Sequence, residues 1–235
     1  TKGVRTTSGS RVTADFVPTE DATVVANLQE AGAYYLGKTN MVEYAYGGAE
    51  HNDAYGSPKN PWGLSHLTGG SSSGSAAAVA AGSVPIALGS DTAGSVRAPA
   101  SLNGLTGHKP TYGLVSRFGV TPLSWSMDNV GPLARTAEDV AISMNVLAGH
   151  DAEDPASARC ERVDYTEGIR GGVRGMRIAV PKEYVWDFMD PQVEAAFRKA
   201  MAVFEELGAS VDEISVPELE WVPPIAIGIT SAEAA

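Results

Sequence analysis

The side chains best suited to take part in a chemical reaction lie in GGSSSGS at residues 69–75, where three serines stand in a row. Two other polar segments hold candidates of the same kind, LGKTN with Lys38 and SDTAGS with Ser95. A serine hydroxyl is a weak nucleophile at neutral pH and needs an adjacent base before it attacks a carbonyl carbon. A lysine acts as that base only when neutral, and burial lowers a lysine pKa towards neutrality.

The glycine–serine run has three other interpretations from its residues alone. A flexible linker is one, although this run continues directly into an apolar helix and a buried strand. An anion-binding turn at a helix N-terminus is the second, but neither G-x-x-x-x-G-K-[ST] nor G-x-G-x-x-G occurs in the run. The third is a nucleophile elbow centred on Ser72, which the GSSSG match permits. The preceding NPWGLSHLT makes a poor central strand, and a triad would need His108 or His150.

The composition restricts the classes of function. A net charge of −11 without clustered lysine and arginine argues against a nucleic-acid-binding face, because phosphate neutralisation needs such clusters. The 43% of hydrophobic residues permits a substantial core, and the one cysteine, Cys160, fits a reducing compartment. No apolar run approaches the roughly 18 residues of a membrane span. The N-terminal residues contain no signal-peptide core, so a soluble cytoplasmic protein is expected.

Apolar spacing and the positions of glycine and proline predict alternating helices and strands, which is typical of an α/β domain. Helices are expected at 21–31, 74–84, 135–149 and 191–207, and strands at 85–92, 176–180 and 210–216.

Four local features refine this prediction. A short buried strand within AYYLGKTNM (33–41) would place Lys38 just after its end. Thr136 is expected to cap the helix of 135–149. A short helix within 93–104 is expected to break near Pro99. The final ITSAEAA predicts a helix that begins at Thr230 or Ser231, and a helix that starts where the sequence stops suggests a truncated chain.

Four longer segments together resemble the amidase signature family, and they occur in the order that the family uses. They are GKTNMVEYAYGG (37–48), NPWGLSHLTGGSSSGSAAAVAAG (60–82), GSDTAGSVRAPASLNGLTGHKPTYGLVSRFGV (89–120) and PLSWSMDNVGPLARTAEDVA (122–141). The resemblance implies an α/β fold with a mixed β-sheet core flanked by helices. It also implies one incomplete amidase signature domain across residues 1–235.

The resemblance assigns a Ser–cis-Ser–Lys triad to Lys38, Ser71 and Ser95. Ser95 would be the nucleophile, Ser71 the proton relay that follows a cis peptide bond, and Lys38 the base. Backbone N–H groups of the turn formed by Thr92, Ala93, Gly94 and Ser95 would stabilise the oxyanion. Ser72, Asp91 and Arg97 would support these loops as scaffold residues.

Two positions depart from the family pattern, and neither removes a catalytic side chain. Ala93 stands where the family usually has glycine, and Ser73 also replaces a glycine. If position 93 required a positive φ, alanine would be unfavourable there. No metal or other cofactor is expected, because His51 and Asp53 lack a recognised ligand spacing.

Two functions follow from the resemblance, and the abrupt C-terminus adds a third. The first is an amidase that hydrolyses linear carboxamides and could form a homodimer, and the segment MVEYAYGGAEHNDAYG (41–56) favours it. The second is the A subunit of the tRNA-dependent amidotransferase, which would release ammonia from glutamine for partner subunits. The third is an inactive fragment or binding module.

Overall fold

The computed structural model describes residues 1–49 and 51–234. These residues form two compact units: Thr1–Thr166 with the described residues from Ala232 onward, and Glu167–Ser231. Each unit contains its own sheet, with three strands in the first and two in the second. The expectation of one domain across residues 1–235 stays a prediction.

The sheet of the first unit is antiparallel and has the order β1–β3–β2. Its strands are β1 (Ile86–Asp91), β2 (Thr106–Gly107) and β3 (Asn129–Ala134). The central strand β3 is buried along its whole length. The ladder between β1 and β3 ends at the pair Asp91 and Asn129. The turn after β1 and the loop before β3 therefore leave the sheet side by side.

Four α-helices surround this sheet: α1 (Thr23–Glu30), α2 (Ser73–Ala80), α3 (Arg97–Leu102) and α4 (Ala137–Leu147). A short 3₁₀ helix covers Glu43–Ala45. Ala76 of α2, Ala100 of α3 and Leu133 of β3 form one buried cluster with Val96. Because most of these side chains are small, α2 and α3 pack close to the central strand β3.

The second unit contains a parallel pair of strands, β4 (Arg177–Pro181) and β5 (Ser210–Ile214). The helix α5 (Pro191–Glu206) connects them, as parallel pairing requires. The side chain of Asp190 accepts a hydrogen bond from Gln192 N and caps α5. A 3₁₀ helix (Pro217–Trp221) leads into α6 (Val222–Glu233). Among the described residues, no helix is both long and apolar enough to cross a membrane.

Most of the predicted elements are confirmed. The helices expected at 21–31, 74–84, 135–149 and 191–207 correspond to α1, α2, α4 and α5, and the three main strands correspond to β1, β4 and β5. The side chain of Thr136 accepts from Asp139 N and caps α4, as expected. The α/β fold class with sheets flanked by helices is likewise confirmed, and the antiparallel and parallel strand pairs expected of a mixed sheet lie in two separate sheets.

Three local predictions are wrong. The segment at 33–41 forms no strand: Tyr34 is 94% and Leu36 76% exposed, and no strand in the described part of the chain pairs with them. An apolar run becomes a strand only when another strand satisfies its backbone groups. The short helix α3 does not break at Pro99, because this proline occupies the first turn, where its missing N–H has no helical acceptor. The last helix starts at Val222, so Thr230 and Ser231 lie inside it.

Candidate active site

The peptide bond between Gly70 and Ser71 is cis, at the serine for which the family resemblance implies such a bond. Ser71 is fully buried, and its Oγ has no hydrogen-bond partner among the described residues. The carbonyl oxygen of Ser71 accepts from Val42 N at 3.2 Å, which attaches this part of the loop to the chain beyond Lys38. A buried hydroxyl without a partner is available to exchange protons with groups that approach it.

The serine next to it connects two loops. Ser72 N donates to the carbonyl oxygen of Ser95 at 3.2 Å, and Ser72 Oγ donates to the carbonyl oxygen of Ser90 at 3.3 Å. Gly89 permits this approach, because a Cβ atom there would overlap Ser72 Oγ. The loop that contains Ser71 and the turn that contains Ser95 are thus neighbours through main-chain contacts.

The segment that carries Lys38 is fixed to the first turn of α2. Gly74 N donates to the carbonyl oxygen of Asn40 at 2.9 Å, and a Cβ atom on Gly74 would overlap that oxygen. Thr39 Oγ1 and Ser75 Oγ are 3.0 Å apart. Since Ser75 Oγ donates its single proton to the carbonyl oxygen of Leu88 at 2.8 Å, the Thr39 hydroxyl is the donor in this pair.

Lys38 combines an exposed side chain with a perturbed ammonium group. More than a third of its surface is exposed, yet desolvation by the surrounding protein lowers the pKa of its amine below the ordinary value. The direction is the one that a general base requires, because only the neutral amine accepts a proton.

The turn from Thr92 to Ser95 follows β1 directly and is organised by Asp91, which is fully buried. The carboxylate of Asp91 accepts from Gly94 N at 2.7 Å, from Val96 N at 3.1 Å and from Arg97 Nε at 3.0 Å. Burial opposes its ionisation, but the Arg97 guanidinium and the N–H donors outweigh burial and hold the pKa of Asp91 below its ordinary value. This is the contact pattern expected of a scaffold pair.

The four N–H groups expected in the oxyanion hole do not have the same environment. Gly94 N already donates to Asp91, whereas no acceptor within residues 1–49 and 51–234 binds the N–H groups of Thr92, Ala93 or Ser95. Three N–H groups of this turn therefore have no acceptor in the described part of the chain. In this turn only Gly94, with φ 136°, has a positive φ, so alanine at position 93 requires no left-handed backbone.

The structure brings the three segments of the expected triad together through main-chain contacts. No hydrogen bond joins the side chains of Lys38, Ser71 and Ser95 directly in the described part of the chain. Thr39 and Ser75, which hold the lysine segment, were not among the site residues expected from the sequence. Their only signal was the hydroxyl that follows the lysine in GKTN and the last serine of GGSSSGS.

The described residues give little support to a metal site or a nucleophile elbow. They contain no group of three histidine, cysteine, aspartate or glutamate side chains that could hold a metal ion. His51 Nε2 and Asp53 Oδ1 are 2.9 Å apart, but both side chains are largely exposed. The nucleophile elbow is not formed either, because Ser72 follows a loop rather than a strand.

Comparison with known proteins identifies the family of the chain. The family model described as Amidase matches residues 1–235. An A subunit of glutamyl-tRNA(Gln) amidotransferase, from Chromohalobacter salexigens, is 50% identical over 234 residues, which cover 100% of this chain and 48% of that protein. The chain thus spans about half the length of the curated relatives it matches.

Solved structures show the same similarity. The A subunit of glutamyl-tRNA(Gln) amidotransferase from Thermotoga maritima superposes with a TM-score of 0.96 at 42% identity, covering 100% of this chain and 52% of that one. The peptide amidase from Stenotrophomonas maltophilia gives a TM-score of 0.90 at 33% identity, covering 98% of this chain and 49% of that one. The chain belongs to the amidase (amidase signature) family. The whole chain has the fold of about half of a longer family member.

Proposed function

We propose that this chain carries the amide-cleaving centre of the A subunit of a glutamyl-tRNA(Gln) amidotransferase, which releases ammonia from glutamine. The sequence segment at 41–56 favours a stand-alone amidase over this amidotransferase component. Relatives that are 50% and 46% identical over the whole chain are both named as this component, and they favour the second interpretation. Hydrolysis of an amide bond is common to both.

The observation that carries the chemistry is the position of Ser71. Its buried hydroxyl has no partner among the described residues, and its loop contacts the nucleophile turn through Ser72 and the lysine segment through Val42. In the proposed reaction, neutral Lys38 takes the Ser71 proton while Ser71 takes the proton of Ser95 Oγ. The Ser95 oxygen then forms a bond to the carboxamide carbon of the substrate.

The oxyanion that results is assigned to the free N–H groups of Thr92, Ala93 and Ser95. Removal of one such donor typically costs about 10²–10³ in kcat. As the tetrahedral intermediate collapses, its C–N bond breaks, and the nitrogen leaves as ammonia with a proton returned through Ser71. Water then attacks the acyl-enzyme ester, and Ser95 regains its proton.

Glutamine turnover tests this function. Ammonia release is measured with glutamine, a simple aliphatic carboxamide and a C-terminally amidated peptide, for the chain alone and after addition of candidate amidotransferase partner subunits. Glutamine hydrolysis that rises with the partner supports the proposal. Efficient turnover of the other amides alone, with no response to a partner, contradicts it.

A stand-alone amidase is the second candidate, supported by the similarity to the peptide amidase. It predicts the opposite result in the same assay, namely turnover of peptide or simple amides without any partner.

The third candidate is an inactive fragment. The chain spans about half the length of its relatives, so its cooperative folding is tested alongside its activity. A circular dichroism melt with a sharp transition would support an independently folded enzyme, whereas a gradual melt and no turnover would favour an inactive fragment.

A further inference from the structure

The antiparallel register of β1 and β3 predicts a residue pair just beyond the last ladder position. Asp91 is opposite Asn129, so the next positions in the two strands are Thr92 and Asp128. Their side chains do meet: Thr92 Oγ1 donates to Asp128 Oδ1 at 2.5 Å. Thr92 is also the first residue of the turn that supplies the free N–H groups.

The position of Asp128 is set by its own loop. Its other oxygen, Oδ2, accepts from Leu123 N at 2.7 Å and from Ser124 N at 2.9 Å. Asp128 N in turn donates to the carbonyl oxygen of Ser124 at 2.9 Å, and the residue is only 7% exposed. The carboxylate is therefore fixed without Thr92, and the Thr92 hydroxyl binds to an acceptor that is already in place.

The turn at residues 92–95, which we call the oxyanion turn, is consequently held at both ends by carboxylates. Asp91 binds Gly94 near the end of the turn, and Asp128 binds Thr92 at its beginning. The unengaged N–H group of Ala93 lies between these two contacts in the chain. Oxyanion donors act only when they lie about 2.7–3.1 Å from the developing charge, so a small shift of the turn weakens them.

We propose that Asp128 is a positioning residue of the amide-cleaving centre, which acts through Thr92 to fix the N–H groups of the oxyanion turn. This inference rests on the proposed function, because it assigns the turn to an oxyanion. It adds a role for the loop at 123–128. Its effect falls on the transition state and not on substrate binding, since the oxyanion exists only after attack.

Four variants test this role. Thr92→Val removes the hydroxyl donor at nearly constant shape, while Thr92→Ser keeps a donor and serves as the conservative rescue. Asp128→Asn changes the acceptor, so it tests the same contact in a different way. Thr121→Val is the matched control, because it also removes a threonine hydroxyl, one whose contact is with Ser8.

Steady-state kinetics of glutamine hydrolysis, with partner subunits where they are required, gives kcat and KM for each variant. Alongside, the rate of fluorophosphonate labelling at Ser95 is measured, because this adduct places an oxygen where the oxyanion would be. We expect kcat and the labelling rate to fall about 10- to 100-fold in Thr92→Val with little change in KM, since displacement by about 1 Å can cost 10²-fold. Thr92→Ser should stay within about threefold of the original chain, and Thr121→Val should match it.

Asp128→Asn gives the second line of test. We expect it to lower kcat in the original chain and to have a much smaller effect in the Thr92→Val background, since the two residues act through one contact. If Thr92→Val melts without a cooperative transition, Asp128→Asn alone decides the outcome through its separate effects on kcat and KM.

A failure of the positioning role can be distinguished from a failure of the proposed function. Thr92→Val and Asp128→Asn proteins that fold, label and turn over at the original rates would overturn the positioning role alone, as would a rise in KM with kcat unchanged. Absence of both labelling and amide hydrolysis in the folded original chain would instead overturn the proposed function, and the positioning role with it.

Discussion

Ser72 N donates a hydrogen bond to the carbonyl oxygen of Ser95 at 3.2 Å. This bond connects two loops that are distant in sequence, the one that begins the helix α2 and the one that follows the strand β1. The hydroxyl groups assigned to relay and nucleophile are the side chains of Ser71 and Ser95, which stand in these same two loops. Their spacing is therefore set by the main chain, and side-chain substitutions can test the chemistry without removing this contact.

Ser71→Ala should remove activity and leave the fold intact. Loss of a group that transfers a proton in general acid–base catalysis typically lowers kcat by about 10²–10⁴-fold, and we expect a decrease in that range. Ser73→Ala is the matched control, since Ser73 Oγ is also buried without a partner among the described residues. Deleting an unsatisfied hydroxyl should leave kcat unchanged and the melting temperature equal or higher. Equal losses of activity in the two variants would contradict a specific relay role.

The pH dependence of kcat/KM should show a rising limb due to Lys38. Desolvation lowers the pKa of its amine from 10.5, so the neutral base becomes available as pH rises through a midpoint below that value. A pH–rate profile of glutamine hydrolysis measures this midpoint. Lys38→Met should abolish the limb together with most of the activity. A limb that persists unchanged in Lys38→Met would assign the titration to another group.

Asp91→Ala should destabilise the protein strongly. It leaves the N–H groups of Gly94, Val96 and Arg97 without their acceptor, and one unsatisfied buried donor costs about 1–3 kcal/mol. We expect a loss of at least about 3 kcal/mol in urea unfolding, against about 1 kcal/mol for loss of the helix cap in Thr136→Ala. Equal losses in the two variants would show that the Asp91 contacts contribute little.

The same carboxylate gives a stability dependence on acid. The pKa of Asp91 is lowered from 3.8 in the folded state, so its contribution is complete above the unfolded pKa and disappears as pH falls through the folded pKa. The free energy of unfolding of the original chain should therefore fall below about pH 4 more steeply than that of Asp91→Ala. Parallel curves for the two proteins would contradict this assignment.

Gly74→Ala should impair catalysis by moving the lysine segment. The added Cβ would overlap the carbonyl oxygen of Asn40, two residues beyond Lys38, so this segment must shift away from α2. We expect kcat to fall by at least about tenfold, because small misplacements of catalytic groups are costly. Gly228→Ala in α6, where a Cβ meets nothing within 4 Å, is the control and should keep full activity.

Sequence patterns predict this fold best where structure is local. The Thr136 cap of α4 and the proline and capping aspartate at the start of α5 depend on neighbours within one helical turn, and these helices are where the pattern predicts them. The segment at 33–41 has the same apolar character as a strand but no pairing partner in the described residues, and pairing is not visible in a single segment.

In the candidate site, too, local motifs are visible in the sequence and contacts between distant segments are not. The motifs that resemble the family predict Lys38, Ser71 and Ser95 as site residues, and they predict that Asp91 and Arg97 hold the turn. Asp128 was not identified, because its contact with Thr92 depends on the register between β1 and β3. That register is a property of two strands that are far apart in the chain, and no local pattern encodes it.

Covalent labelling is the decisive test of an activated Ser95. The folded chain is treated with a serine-reactive fluorophosphonate, and intact mass with peptide mapping locates the adduct, with Ser95→Ala and Lys38→Met in parallel. We expect one adduct on the peptide that contains Ser95, and no adduct in either variant. A folded original chain without an adduct would contradict an activated serine, and an adduct on Ser72 would place the nucleophile in the glycine–serine run instead.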